Sequence, residues 1–239
     1  MVHDCKLRVD GITKFLDNTD FAFDHTFGEE DSTEELYRYT AAPLIPFIFQ
    51  QGRATCFAYG QTGSGKTFTM AGIQQQASRD IFSTLKSGQA FAGLVAYVSF
   101  FEIYGGRCQD LLNNRHRLLV REDGKGDVVV SELEEMEAQT EEELLGYIDE
   151  VGVGGRPLGS LCRTSTDGCM ACRLQGNRNR TTHATEVNDV SSRSHAICQI
   201  VLRVRETGRV YGKLSLVDLA GTWRPSVRSP SDYLATCVC

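Results

Sequence analysis

The chain has 239 residues, enough for one large domain or two small ones with a sizeable core. A hydrophobic share of 41% with 23% charged residues excludes a disordered chain, and 25 basic against 31 acidic side chains, a formal net charge of −6, argue against a general nucleic-acid or membrane coat. No apolar run reaches bilayer length, the opening residues hold no apolar leader core, and nine scattered cysteines form no disulfide framework; the expectation is a cytoplasmic chain with reduced thiols that binds neither nucleic acid nor membrane.

In chain order, Phe21, Phe23, His25 and Phe27 alternate with smaller or polar residues, the period of a half-buried strand. Ser32 and Glu35 stand at capping-box spacing, and Leu36, Tyr39 and Leu44 continue a helix expected to fade before Gly52. Residues 54–59 are apolar and uncharged between Gly52 and Gly60, which reads as a buried strand. A helix can start at Lys66, and a further helix is expected over 77–85, with Ile81, Phe82 and Leu85 on one side. Residues 94–104, rich in Val, Phe, Tyr and Ile, predict a long central strand, and two apolar runs about Asp123-Gly124-Lys125-Gly126 predict a hairpin within 117–133. Thr140 and Glu143 form a second capping box, ahead of a helix with Leu144, Leu145 and Ile148 on its apolar face. Residues 196–204 and 214–217 are strand-like again. Interleaved strands and helices favour a three-layer α/β domain.

Residues 151–179 depart from this pattern, with six glycines, four arginines, one aspartate and no Lys or Glu. Residues 222–239 carry Pro225 and Pro230 and no apolar period. Loops of this length without elements are uncommon in compact domains.

Gly60-Gln61-Thr62-Gly63-Ser64-Gly65-Lys66-Thr67 is a complete G-x-x-x-x-G-K-[ST] phosphate loop. Its glycines let successive backbone N–H groups turn inward on phosphate oxygens, Lys66 supplies a mobile charge for the β and γ phosphates, and Thr67 offers a hydroxyl to Mg²⁺. A strand ahead of it and a helix start after it would set a bound anion against a helix N-terminus. A second carboxylate is needed for the metal, and the strand 214–217 runs into Asp218 and then Gly221 in a D-x-x-G arrangement. Asp218 would hold Mg²⁺ through water, and the Gly221 amide would sense a γ-phosphate. Asn188, Ser191, Ser192 and Arg193 lie between these motifs and suit a loop that closes on a triphosphate; standing alone, the segment reads first as an exposed polar turn with an N-cap serine.

Residues 57–70, the segment Asn188 to His195 and Asp218-Leu219-Ala220-Gly221 together resemble the kinesin motor domain, as do Phe101-Glu102-Ile103-Tyr104 and Asp110-Leu111-Leu112. The opening Val2 to Asp10 with Thr13-Lys14-Phe15-Leu16 is similar to the family-specific loop of kinesin-13, the internal-motor, microtubule-depolymerising branch. In that branch a Lys-Val-Asp finger probes tubulin, and Arg8-Val9-Asp10 occupies its place. The resemblance implies a P-loop NTPase of the kinesin fold, incomplete here, with a mixed central sheet between helices, and an ATPase that uses ATP and Mg²⁺ and grips tubulin in microtubules, the spindle included. It implies that Gly60 to Thr67 cradle the phosphates, that Phe68 packs near adenine, that Asn188, Ser191 and Ser192 form the first switch, and that Thr67, Ser192 and Asp218 serve the metal. Arg193 would pair with a glutamate after Gly221, where this chain has Thr222-Trp223 in place of the family's Ser-Glu. On this resemblance 1–221 is a partial motor domain, its first strand expected ahead of Met1 and 151–179 an atypical insert. Residues 222–239 are then a tail outside the family pattern, expected to be disordered, and any homodimer would form through regions outside this chain. Two alternatives remain open at this point: a non-catalytic fragment, or a different P-loop NTPase such as a small GTPase, although no Asn-Lys-x-Asp guanine element occurs.

Overall fold

A computed structural model describes residues 2–87, 89–124, 126, 128–153, 194–221 and 236–238. The chain opens with strands β1 (Val2–Leu7) and β2 (Lys14–Thr19), an antiparallel hairpin paired from Val2↔Thr19 to Leu7↔Lys14 that forms its own two-stranded sheet. Lys6 on β1 pairs with Asp17 across the hairpin and with Asp4 on its own strand.

Residues 21–27 are irregular rather than a strand. Their aromatic alternation is used differently: Phe21 and Phe23 stay exposed, while the His25 ring stacks on Tyr39 at 4.3 Å and lies 4.6 Å from Phe27. Ring packing on a helix thus takes the place of strand pairing.

Helix α1 (Thr33–Thr40) starts where the cap signal puts it, the Glu35 N–H donating to Ser32 Oγ at 3.1 Å. The helix expected to run on towards Gly52 breaks, and α2 (Leu44–Ile48) follows as a separate short helix. Pro43, without an N–H, cannot continue the α1 hydrogen-bond ladder and sits instead at the N-cap of α2.

Strand β3 (Arg53–Tyr59) leads to α3 (Lys66–Ser87), one unbroken helix of 22 residues. The helix predicted over 77–85 is its second half. The glutamines at 74–76 blur the apolar stripe, and Gly72 is kept small by α1: a Cβ there would lie 2.3 Å from Thr33 Cγ2. A 3₁₀ turn (Gln89–Phe91) leads into β4 (Leu94–Tyr104), followed by β5 (Arg107–Asp110), the hairpin β6 (His116–Glu122) and β7 (Val128–Ser131), and β8 (Met136–Ala138). Helix α4 (Glu141–Val153) is capped by Thr140, whose Oγ1 accepts from Glu143 N–H at 3.2 Å, while Glu143 Oε2 accepts from Gln139 N–H at 2.8 Å. Strands β9 (Ser194–Val204), β10 (Val210–Asp218) and β11 (Thr236–Val238) complete the described chain.

Apart from the hairpin, the strands join one mixed sheet in the order β11-β3-β10-β9-β4-β5-β6-β7, with β8 also on β4. Among the described strands, β3 and β10 are the one parallel pair. The fold is an incomplete α/β domain, a mixed central β-sheet flanked by helices; the helices among the described residues share one core against one sheet face. Ala54, Cys56 and Ala58 of β3, Leu214 and Leu216 of β10, Cys198, Ile200 and Leu202 of β9, and Ala96, Val98 and Phe100 of β4 supply the sheet side of that core. Met70, Ile73, Ala77 and Ile81 of α3 and Leu144 of α4 face them. A smaller cluster of Phe101, Cys108, Leu118 and Ile197 lies apart from it. Thr236–Val238, within the tail expected to be disordered, pairs antiparallel with β3. Among the described residues no helix is long and apolar enough to cross a membrane.

Candidate functional site

Parallel pairing of β3 with β10, from Arg53↔Lys213 to Ala58↔Asp218, brings the ends of both strands to one sheet edge. The chain leaves β3 there as residues 60–65 and leaves β10 as residues 219–221. The two motifs, far apart in sequence, therefore face each other.

Gly63 and Gly65 adopt φ +83° and +88°, with nothing within 4 Å of a Cβ position; the left-handed backbone, not crowding, selects glycine at both. Ser64 N–H donates to the Gln61 carbonyl at 3.3 Å, and Thr69 N–H donates to Gly65 O at 2.9 Å as α3 begins. Lys66 in the first turn is buried, and its Nζ donates to Gln61 O at 2.7 Å, which folds the ammonium back over the loop. Thr67 Oγ1 donates to Asp218 Oδ2 at 2.6 Å, closing the two motifs on each other. Burial holds the Asp218 carboxyl above its ordinary value, opposed by the Thr67 hydrogen bond and by the Lys66 charge.

The D-x-x-G segment is fixed on three sides. Leu219 N–H donates to Ala58 O on β3 at 3.3 Å, and Ala220 N–H donates to His195 Nδ1 at the start of β9 at 3.0 Å. Gly221 is buried against the loop itself: a Cβ would lie 2.4 Å from both Thr62 N and Thr62 Oγ1. Only glycine allows this approach.

The residues present fit a magnesium-bound polyphosphate. Thr62 Oγ1 and Ser64 Oγ are two of three buried side-chain oxygens without a hydrogen-bond partner among the described residues, the third being Ser99 Oγ within β4, and buried hydroxyls are in general nearly always paired. Thr62 and Ser64 sit in a loop whose backbone N–H groups and neighbouring ammonium suit oxyanions. A hydroxyl beside a carboxylate is the donor type of a hard divalent cation. No group of three or more His, Cys, Asp or Glu among the described residues could hold a metal. Among the described residues Thr67 and Asp218 are the pair that would hold such a cation, and Mg²⁺ usually keeps further positions for phosphate oxygens and water.

Of the residues predicted from sequence, Gly60, Gln61, Thr62, Gly63, Ser64, Gly65, Lys66, Thr67, Asp218 and Gly221 are brought together at this edge. Phe68 projects from the first turn of α3 and is 75% exposed, open to a planar partner but packed on none of the core. Asn188, Ser191, Ser192 and Arg193 lie outside the described residues. Arg8, Val9 and Asp10 belong to a separate place, the tip of the β1–β2 hairpin. There Asp10 Oδ1 accepts from Ile12 N–H at 3.0 Å and Thr13 N–H at 2.9 Å, and Oδ2 accepts from the Thr13 hydroxyl. These bonds hold the Asp10 carboxyl below its ordinary value, the Thr13 side chain first. Arg8, Val9 and Ile12 are left exposed on the turn. Sequence reasoning missed His195, because nothing in the sequence signals that its ring nitrogen meets the backbone of Ala220.

The kinesin motor domain profile matches residues 4–158 and 156–232. The break between these stretches falls within 151–179, and the second runs past Gly221 into the segment expected to lie outside the family pattern. The chain is 45% identical over 226 residues to diatom spindle kinesin-1 of Cylindrotheca fusiformis, covering 94% of this chain and 32% of that protein. It is 40% identical over 237 residues to kinesin-like protein KIN-13B of Arabidopsis thaliana, covering 97% of this chain and 31% of that protein. The chain therefore spans about a third of the length of these curated relatives.

Proposed function

The chain belongs to the kinesin motor-domain family, and on that premise we propose that it is an ATP-dependent microtubule motor domain, binding Mg²⁺-ATP at the edge where β3 and β10 end. Family membership sets aside the alternative of a small GTPase. The observation that carries the site is the pair of orphaned buried hydroxyls, Thr62 Oγ1 and Ser64 Oγ, in a loop already closed onto Asp218 through Thr67. In this reading residues 60–65 orient the phosphates by backbone N–H groups, Lys66 turns from Gln61 O to the β and γ oxygens, and Thr67 with Asp218 fixes the metal. Bound Mg²⁺ supplies charge neutralisation across the phosphates. Gly221 would report on the γ-phosphate because its backbone already touches the loop at Thr62. Asn188, Ser191 and Ser192 are assigned to the first switch, with Ser192 towards the metal, and Phe68 to the adenine.

Hydrolysis by the chain as written is expected to be slow, since Thr222-Trp223 stands where Arg193 would need a glutamate. The assay is phosphate release with and without tubulin; release at a normal, tubulin-stimulated motor rate would contradict this part.

Of the family's branches we assign the depolymerising one, kinesin-13. The similarity of residues 2–16 to that branch's loop, the relative KIN-13B and the hairpin tip support it. Arg8 and Val9 project from a turn held rigid by Asp10, the form of a probe for a tubulin surface. Association with microtubules, the spindle included, accords with the name of the diatom spindle relative. Shortening of stabilised microtubules, followed by microscopy with Arg8→Ala and Val9→Ala variants, separates this branch from a lattice-walking motor; shortening unaffected by both changes would remove the assignment.

A further inference from the structure

The segment 218–221 must hold a defined course for Gly221 to touch Thr62, and its course is set by the two strands that flank β10. On one side Leu219 N–H extends the β3–β10 ladder to Ala58 O at 3.3 Å. On the other side the ladder with β9 ends at Asp218↔Ala196. Beyond that pair a side chain receives the amide of Ala220: His195 Nδ1 accepts from Ala220 N–H at 3.0 Å. The next residue is Gly221, with no room for a Cβ against Thr62. His195 is also the second residue of β9, directly after the segment that holds the predicted first switch.

We propose that His195, at the start of β9, is a positioning residue that sets the course of the D-x-x-G segment, and with it the place of Gly221 at the γ-phosphate position, through one imidazole–amide hydrogen bond. The inference rests on the nucleotide site proposed above. Its geometry has three consequences. Nδ1 must be the unprotonated nitrogen, because it accepts from a backbone N–H; the proton of the neutral ring is on Nε2. Asparagine can place Oδ1 near the position of Nδ1, whereas glutamine places its carbonyl nearer to Nε2, so H195N keeps the acceptor and H195Q displaces it. The effect falls on the distinction between triphosphate and diphosphate, because Gly221, which lies against the phosphate loop at Thr62, is one residue from Ala220, the partner of His195.

Two measurements on the 239-residue chain test it. Two-bond ¹H–¹⁵N spectra of the wild-type chain read the His195 tautomer without any variant. The Nε2–H form and a slowly exchanging Ala220 amide are expected; an Nδ1–H ring overturns the proposal whether or not nucleotide binds. Fluorescent ATP and ADP analogues are then titrated with Mg²⁺ into wild type, H195A, H195Q and H195N. H195A and H195Q are expected to lose about three- to tenfold of the ATP-over-ADP preference while keeping ADP affinity, the scale of one hydrogen bond, with H195N close to wild type. An unchanged preference in H195A, or an equal fall in both affinities in all three variants, overturns it. Failure of the wild type to bind either nucleotide instead removes the site assignment, and the tautomer and amide readouts still decide the hydrogen bond.

Discussion

Two aspartates, Asp10 and Asp218, mark the difference between the hairpin tip and the nucleotide edge. Asp10 is fully exposed, and all its hydrogen-bond partners lie within three residues, Ile12 and Thr13. Asp218 is largely buried, and its partner Thr67 is 151 positions away. Local donors lower the first carboxyl, and burial raises the second. The tip is therefore a self-contained turn that folds on its own short-range chemistry. The edge exists only once β3, β10, β9 and α3 have packed together. Changes at the tip should alter mainly what the molecule touches and stability only slightly; changes at the edge should alter both the fold and what it binds.

The largest expected break in this comparison is in stability. Leu214 is fully buried on β10 beneath the edge, whereas Leu16 on the hairpin is 63% exposed. Leu214→Ala should cost about 2–5 kcal/mol of unfolding free energy, and Leu16→Ala no more than about 0.5 kcal/mol, read by urea unfolding with a common m-value. Comparable losses would mean that the hairpin is packed into the cooperative unit.

Next comes Gly221→Ala. Its Cβ would meet backbone as well as side-chain atoms of Thr62, so overpacking of about 1–3 kcal/mol is expected, together with loss of nucleotide binding in a titration. Retained affinity would show that the D-x-x-G segment can move off the loop at little cost.

The pH dependence of stability should have opposite signs in the two places. A raised carboxyl binds its proton more tightly in the folded state, so the Asp218 contribution is fully present below 3.8, its ordinary value, and is lost as pH rises through the raised folded value. Asp218→Asn should therefore raise the melting temperature at neutral pH in the absence of nucleotide, the difference closing on acidification. For Asp10 the contribution is present above 3.8 and is lost as pH falls through its lowered folded value. Asp10→Asn should leave the midpoint slightly lower at neutral pH, the gap vanishing in acid. Melts across this range check both signs, and a common sign for the two variants would contradict the comparison.

The smallest effect on the fold is expected from Val9→Ala, which should leave the melting temperature unchanged because Val9 lies wholly in solvent. Co-sedimentation with microtubules should fall all the same if the tip is a contact. Unchanged sedimentation would leave the tip as an ordinary exposed turn.

Much of this was legible in the sequence wherever the signal was local. Ser32 and Thr140 cap the helices that they announce, and residues 94–104 form β4 to the residue because a run of β-branched and aromatic side chains is buried on both faces. The phosphate loop was legible because its chemistry fixes residue types at fixed spacing. Less could be read where residues serve a neighbour in space. Residues 21–27 show strand period, yet their rings pack beside Tyr39. Gly72 and the glutamines after it hid the continuity of α3, since its permissible shape depends on Thr33 of α1. Strands β5 and β8 are too short and polar to show a period, and β1 and β2 mix charges with apolar residues. At the site, Lys66, Thr67, Asp218 and Gly221 could each be named, but the Thr67–Asp218 bond, the Gly221–Thr62 contact and the His195–Ala220 bond arise from strand order alone.

The central claim is that the ends of β3 and β10 together form a magnesium-dependent ATP site. Equilibrium titration of a fluorescent ATP analogue into the wild-type chain and Lys66→Ala, with Mg²⁺ or with a chelator, tests it most directly. The account predicts saturable binding to the wild type that needs Mg²⁺ and is lost in Lys66→Ala while the far-ultraviolet spectrum is kept. Binding that ignores Mg²⁺, or equal affinity in a folded Lys66→Ala, would contradict it.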